Sequence, residues 1–170
     1  VWFTEPSSNA IGELIPNFSN PGASTWHQWT APTANAAPFD LTFDSHGNLW
    51  FTEIDANQIG EFSNGTISET PTPTGGSKPY GISGPDPASG QIWFTENNAA
   101  VAKVASFTPP ASGSLTTSNI KEYNLVNPGS SATPHLITYD YSGNIWWTEG
   151  PNARIGRLTI AQAASGTSNG

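Results

Sequence analysis

The sequence contains no cysteine and few charged residues, and both shortages narrow the functions open to it. Without Cys there is no disulfide, no zinc–thiolate site and no cysteine nucleophile. Only five Lys and Arg stand against thirteen Asp and Glu, which gives a net charge of −8. Because this charge would repel a phosphate backbone, we expect no nucleic-acid partner.

Long hydrophobic runs are also missing. Crossing a bilayer takes about 20 consecutive apolar residues, and no stretch of the chain approaches that length. The first residues form neither a signal peptide nor a transit peptide, and they lack an initiator Met, so we interpret the chain as a mature or trimmed product. Low charge with abundant Ser, Thr, Asn, Gly and Pro is common in secreted bacterial proteins, which predicts an extracellular or periplasmic location.

The sequence does contain a repeated four-residue motif, WFTE or WWTE. Its first Trp recurs as Trp2, Trp50, Trp93 and Trp146, at separations of 48, 43 and 53 residues. Between these positions lie short runs of Trp, Phe, Ile, Val, Thr and Tyr bounded by Pro, Gly, Asn and Asp, a pattern typical of strands. A repeat of roughly 40 to 50 residues matches the blade of a β-propeller.

The second repeat can be divided into four strands. They are predicted at 39–44, 48–53, 58–62 and 66–70, with a two-residue Asn-Gly turn before the last. In the second strand Leu49 and Phe51 point to one face and Trp50 to the other, so both faces are apolar, as in a strand between two neighbouring blades. The sequence therefore predicts an all-β fold, a β-propeller of four-stranded antiparallel blades with about four blade repeats.

The blade boundaries leave the ring incomplete. We place repeats at 1–33, 34–74, 75–127 and 128–160, followed by a low-complexity tail at 161–170. The first repeat begins at its second strand and the last ends after its third. Three interpretations follow: a piece of a longer seven-bladed chain, a small ring of about four blades, or a chain that associates with copies of itself. We favour the first and third, because open blade ends invite association.

The repeated motif resembles a known family. The segments WFTEPSSNAIGEL, WFTEIDANQIGEF and WWTEGPNARIGRL are similar to the repeats of the virginiamycin B lyase, or streptogramin lyase, family. The resemblance implies a seven-bladed propeller and a magnesium-dependent elimination that opens the cyclic depsipeptide of streptogramin B antibiotics. Mg²⁺ and a small cyclic peptide are therefore the expected cofactor and ligand if this activity is present.

The family's catalytic constellation is matched only in part. The resemblance assigns the general-base histidine to His135 and the magnesium-binding glutamate to Glu149. Folding PHLITYDYSGNIWWTE as a regular hairpin predicts that these two residues lie opposite each other, about 5 Å apart at Cβ. Tyr80 occupies the position of the family's second histidine, with Phe39 one blade earlier, and Thr133 stands where a second carboxylate is expected.

The glutamate that closes the motif recurs as Glu5, Glu53, Glu96 and Glu149, and all four are candidates for the channel end. Because a catalytic residue is normally needed once, we predict a structural role for the first three: accepting hydrogen bonds from backbone N–H groups of the following loop, or pairing with a Lys or Arg of a neighbouring blade.

The third strands align a further set of charged residues. Glu13, Glu61, Lys103 and Arg157 are placed at equivalent positions, where ion pairs between blades are plausible.

Two classes of function remain. The first is a propeller that serves as a binding or assembly module, using its channel mouth and its open strand ends. The second is a magnesium-dependent carbon–oxygen lyase. Tyr80 in place of a second histidine favours the module.

Overall fold

The computed structural model describes residues 1–126, 133–150, 153–165 and 168–169, and these form four β-sheets that follow one another along the chain. We call the sheets blades 1 to 4. Within each blade, neighbouring strands of the repeat pair antiparallel in chain order, from the first strand to the last. The prediction of an all-β chain with four repeats is confirmed.

Blade 1 comprises β1 (Trp2–Glu5), β2 (Ala10–Ile15) and β3 (Thr25–Thr30), with 3-10 helices at Pro6–Ser8 and Pro21–Ala23. Blade 2 comprises β4 (Pro38–Phe43), β5 (Leu49–Glu53), β6 (Gln58–Ser63) and β7 (Thr66–Pro71). Blade 3 comprises β8 (Pro79–Ser83), β9 (Ile92–Glu96), β10 (Lys103–Phe107) and β11 (Lys121–Val126), with a 3-10 helix at Thr117–Asn119. Blade 4 comprises β12 (Pro134–Tyr139), β13 (Ile145–Glu149) and β14 (Arg154–Leu158).

The segment expected to be a low-complexity tail contains regular structure. It begins inside the helix α1 (Ile160–Ser165), which is followed by the two-residue strand β15 (Ser168–Asn169). This strand pairs parallel with β11 and so extends the outer edge of blade 3. Residues 127–132, 151–152, 166–167 and 170, which belong to predicted repeats and to the tail, lie outside the described residues.

The core lies between successive blades. The second strands of the two middle blades bury both faces, so that all five residues of β5 and of β9 are buried. The first Trp of the motif faces the next blade: Trp50 packs with Phe94 and Phe107 of blade 3. The next aromatic residue faces the preceding blade, as Phe51 does against Ile11. The repeated Trp is therefore a packing residue, as its apolar surroundings predict.

The turn between the first two strands anchors that Trp. In blade 2, Asp44 accepts hydrogen bonds from the backbone N–H groups of His46 and Asn48 and from Nε1 of Trp50, the last at 2.9 Å. Equivalent bonds join Asp86 to Trp93 and Asp140 to Trp146. Because the Asp both shapes the turn and satisfies the indole N–H, it lets a Trp lie in the core without an unpaired donor.

The Thr of the motif joins consecutive blades. Its hydroxyl donates to the carbonyl of the second residue in the next blade's first strand: Thr4 to Phe39 at 2.6 Å, Thr52 to Tyr80 at 2.7 Å and Thr95 to His135 at 2.5 Å. These bonds hold the first strands of blades 2, 3 and 4 in a fixed relation.

Candidate functional site

Three side chains from three blades form a continuous aromatic row. The rings of Phe39 and Tyr80 have centroids 4.0 Å apart, and those of Tyr80 and His135 are stacked at 5.2 Å with an interplanar angle of 30°. Each is the second residue of its blade's first strand, as the repeat alignment predicts. All three are half-buried, so the row is held by the protein yet reachable from solvent.

Close packing fixes the imidazole end of this row. The His135 ring covers Gly150, where an added Cβ would lie 2.7 Å from Cε1 of the imidazole. On the backbone side, a Cβ on Gly81 would lie 2.5 Å from the His135 carbonyl oxygen. Glycine is favoured at both positions because the backbone of β12 crowds Gly81 and the imidazole of His135 crowds Gly150.

The predicted pairing of His135 with Glu149 is wrong by one residue. Glu149 is paired with Pro134, and the register between β12 and β13 shifts before Ile137. The same irregularity follows Pro38 in blade 2 and Pro79 in blade 3. With the register shifted by this bulge, His135 stacks on Tyr80 and does not pair with Glu149.

Glu149 is already occupied by protein donors. Its carboxylate accepts hydrogen bonds from Nε1 of Trp147 at 3.1 Å and from Nε of Arg154 at 3.1 Å, and Nη2 of Arg154 lies 3.0 Å away. Among the residues that the structure describes, no three His, Asp or Glu side chains gather into a metal-binding group. Since its cation partner is a guanidinium, Glu149 does not fit the role of a magnesium ligand.

The equivalent glutamates of blades 2 and 3 are buried without a hydrogen-bond donor among the described residues. Glu53 and Glu96 are fully inaccessible to solvent, and none of their carboxylate oxygens has a hydrogen-bond partner in the described part of the chain. Burial, reinforced by the nearby Glu69 carboxylate, raises the pKa of Glu53 to about 8. Burial, together with the charge of Glu122, raises the pKa of Glu96 to about 8 as well. The prediction that these two glutamates cap the following loop or pair with another blade is wrong.

The fourth strands supply the residues that sequence reasoning missed. Glu69 in β7 and Glu122 in β11 occupy equivalent positions, opposite Gly60 and Ala105. Blade 1 has Gln28 at this position, and its side chain donates to Glu5 at 2.7 Å. The partner of the motif's glutamate thus changes from blade to blade.

The alignment of Lys103 with Glu61 is also wrong. Lys103 pairs with Glu96, at the position that Gln58 and Arg154 hold opposite Glu53 and Glu149. The loop before β10 is two residues longer than the loop before β6, which moves Lys103 back to the start of its strand. Its ammonium group pairs with Glu122 inside blade 3.

The antiparallel blades, their interlocking cores and the threonine bonds between their first strands define a β-propeller. Comparison with known proteins supports this class at two levels. For the fold alone, an extracellular domain of a hybrid two-component system from B. thetaiotaomicron is 16% identical with a TM-score of 0.64, and covers 95% of this chain and 22% of its own.

The family follows from stronger matches. The family model described as the virginiamycin B lyase family matches residues 1–167, and the chain belongs to that family. Selenomethionine-substituted virginiamycin B lyase from Staphylococcus aureus is 34% identical with a TM-score of 0.75, over 94% of this chain and 48% of its own. A catalytically inactive histidine-to-alanine variant of that enzyme, in a structure with quinupristin, is 33% identical with the same TM-score and coverage. No curated protein sequence matches the chain.

The chain therefore spans about half the length of the virginiamycin B lyase structures that it resembles. Within the described residues, the helices are too short or too polar to cross a membrane.

Proposed function

We propose that this chain is a propeller binding module whose contact surface is the row Phe39–Tyr80–His135. The observation that carries the proposal is the stack itself, in which three half-buried rings from three blades lie in line. Two apolar ring faces and one imidazole suit a compact ligand with both apolar and hydrogen-bonding groups. A small cyclic peptide has these properties.

Quinupristin is the natural probe, because a related structure contains it. We expect it to bind the full chain, and Tyr80→Ala to weaken binding at least about 10-fold, since the central ring is lost and both of its neighbours lose a contact. Isothermal titration calorimetry measures the affinities. Tyr141→Ala is the matched control, because Tyr141 is a fully exposed tyrosine in a turn of blade 4.

Equal affinities for the wild type and Tyr80→Ala would show that the row is not the contact surface. Failure of the wild type to bind quinupristin would exclude this ligand class at the concentrations tested.

Lyase activity is the second candidate, favoured by family membership and by His135. The occupied carboxylate of Glu149 and the ring of Tyr80 argue against it in this chain. An elimination that consumes no water leaves the mass of the substrate unchanged, so the product is detected as a shifted chromatographic peak of equal mass. Turnover that requires Mg²⁺ and is lost in His135→Ala would replace the binding-module proposal with the lyase.

The open faces of the outer blades support self-association. Thr148 lies on the face of blade 4 that points away from blade 3, opposite Ile155, which is 72% exposed. Blade 1 ends in a face that carries Leu14 and Trp26, the latter 56% exposed. Inside the chain, faces of these two kinds pack on each other at every blade junction, so we propose head-to-tail contact between copies.

Light scattering coupled to size exclusion tests this assembly. We expect the mass to rise with concentration, and Ile155→Lys to reduce it toward one chain because a charge would be buried at the junction. Tyr141→Lys adds the same charge in the turn before β13 and is expected to leave the mass unchanged. A single-chain mass at every concentration would contradict self-association.

An extracytoplasmic location is the remaining part of the proposal, and it is supported by composition: no cysteine and few charges. Fractionation of producing cells, with immunodetection of the chain in each fraction, tests it. Recovery only with the cytosol would contradict it.

A further inference from the structure

In blades 2 to 4, the third-strand residue directly opposite the motif glutamate determines whether a positively charged side chain lies beside that glutamate. In blade 3 this position is Lys103, opposite Glu96, and in blade 4 it is Arg154, opposite Glu149. Blade 2 has Gln58 there, opposite Glu53. Side chains directly opposite each other in an antiparallel pair are about 5 Å apart at Cβ, so each of these residues lies beside its glutamate.

Blades 2 and 3 are otherwise built alike at this point. Glu69 accepts hydrogen bonds from the backbone N–H of Thr33 at 2.9 Å and from its hydroxyl at 2.7 Å. Glu122 accepts the same pair of bonds from Thr74, at 2.8 and 2.7 Å. Blade 3 is therefore an internal reference for blade 2.

The reference blade shows where positive charge belongs. The Lys103 ammonium donates to the hydroxyl of Thr74 at 2.6 Å and to the Glu122 carboxylate. The matching oxygens in blade 2 are those of Thr33 and Glu69, beside which Gln58 provides no charge. Blade 2 thus holds two carboxyl groups where blade 3 holds two carboxyl groups and a cation.

The oxygens of blade 2 lack donors as well as charge. Both carboxylate oxygens of Glu53 are buried without a hydrogen-bond partner among the described residues, as those of Glu96 are in blade 3, and blade 2 adds a third such acceptor, Oε1 of Gln58. Glu53 is completely inaccessible to solvent. Leaving three acceptors without donors in the interior is costly, since each loses its water without replacement.

We propose that blade 2 binds a hard metal cation of the calcium type among Glu53, Gln58, Glu69 and the hydroxyl of Thr33. Carboxylate, amide and hydroxyl oxygens are the ligands such cations take, and Ca²⁺ tolerates irregular coordination. A divalent ion displaces the proton that burial favours on Glu53, neutralises both carboxylates and satisfies all three orphaned oxygens. A single proton on Glu53 supplies one donor and leaves acceptors unmatched.

Thermal unfolding of the full chain at pH 7.5 tests the site, with Ca²⁺, Mg²⁺, Na⁺ and K⁺ added singly at constant ionic strength. Tetramethylammonium chloride serves as the balancing salt, because its cation is too large for a buried site. At a concentration 100-fold above the dissociation constant, we expect Ca²⁺ to raise the midpoint by about 5 to 10 °C.

Two substitutions locate the effect. Gln58→Lys copies blade 3 and is expected to raise the midpoint without added cation and to remove the Ca²⁺ response. Ser45→Lys adds the same charge to an exposed turn of the same blade and should keep the response. Glu69→Gln is the second test if Gln58→Lys does not fold, and it should also remove the response.

The proposal is overturned if none of the four metal cations raises the midpoint above the tetramethylammonium baseline. It is also overturned if the response persists in Gln58→Lys or Glu69→Gln, because the cation would then bind elsewhere.

Discussion

Replacement of Glu96 by Gln should remove a loss of folding stability at high pH that originates in blade 3. The carboxyl group of Glu96 is buried and faces Glu122, Lys103 and Ser77. Burial first, and then the charge of Glu122, raise its pKa from 4.5 to about 8, while Lys103 offsets part of the increase. At neutral pH the folded protein therefore keeps a proton on Glu96 that the unfolded chain releases.

The direction of the effect follows from this proton. Below pH 4.5, Glu96 is protonated in both states and the full stability is present. As the pH rises from 4.5 to about 8, the unfolded state binds fewer protons than the folded state, so the free energy of unfolding falls. The loss is complete above pH 8 and amounts to at most about 5 kcal/mol. Relaxation of the side chain toward water would reduce it to about 2 kcal/mol.

Urea unfolding at pH 5 and pH 8.5, followed by tryptophan fluorescence, measures this change. We expect Glu96→Gln to be more stable than the wild type at pH 8.5, and the difference between the two pH values to shrink by about 2 to 5 kcal/mol. Glu5→Gln is the control at the equivalent position of blade 1, where the carboxylate reaches solvent and bonds Gln28. An unchanged difference in Glu96→Gln would refute the reasoning, because Glu96 would then not hold the proton.

Two further substitutions test how the first strands are held together. Gly81→Ala should lower the free energy of unfolding by about 1 to 3 kcal/mol, since its Cβ would press on the backbone at His135, whereas Gly75→Ala, with open space around it, should have little effect in the same urea assay. Thr95→Val should cost about 1 to 3 kcal/mol more than Thr148→Val, because both hydroxyls accept a hydrogen bond from a first-strand N–H but only that of Thr95 also donates to the His135 carbonyl. Equal effects within either pair would contradict the packing or the bonding described for it.

Local patterns were enough to predict the blades. The alternation of Leu49, Trp50 and Phe51 indicated a strand with two apolar faces, and all three residues are buried. The Asp-x-x-Gly-Asn turns follow from the chemistry of their own residues, because Asp favours such a turn and Gly47 and Gly143 adopt its positive φ values, 86° and 75°. The bond from Asp44 to the indole of Trp50 was missed, although the recurring six-residue spacing between Asp and Trp could have suggested it.

The details of the site depended on features that a repeat alignment does not contain. A bulge displaced His135 from Glu149 by one residue, and nothing in the side-chain alternation marks it. Glu69 and Glu122 follow their motif glutamates by 16 and 26 residues, so their equivalence becomes visible only when the fourth strands are paired. Irregular loop length is therefore the reason that the partners of the glutamates could not be assigned beforehand.

Because these partners differ, the motif glutamate has a different electrostatic environment in each blade. Glu5 has a neutral Gln28, Glu96 has an acid and Lys103, and Glu149 has Arg154. The motif fixes one carboxylate at the end of each second strand, and the third and fourth strands determine its charge balance. Differences in function between members with the same motif should therefore be sought at these flanking positions, because substitutions there change the electrostatics of a blade while leaving its packed strands intact.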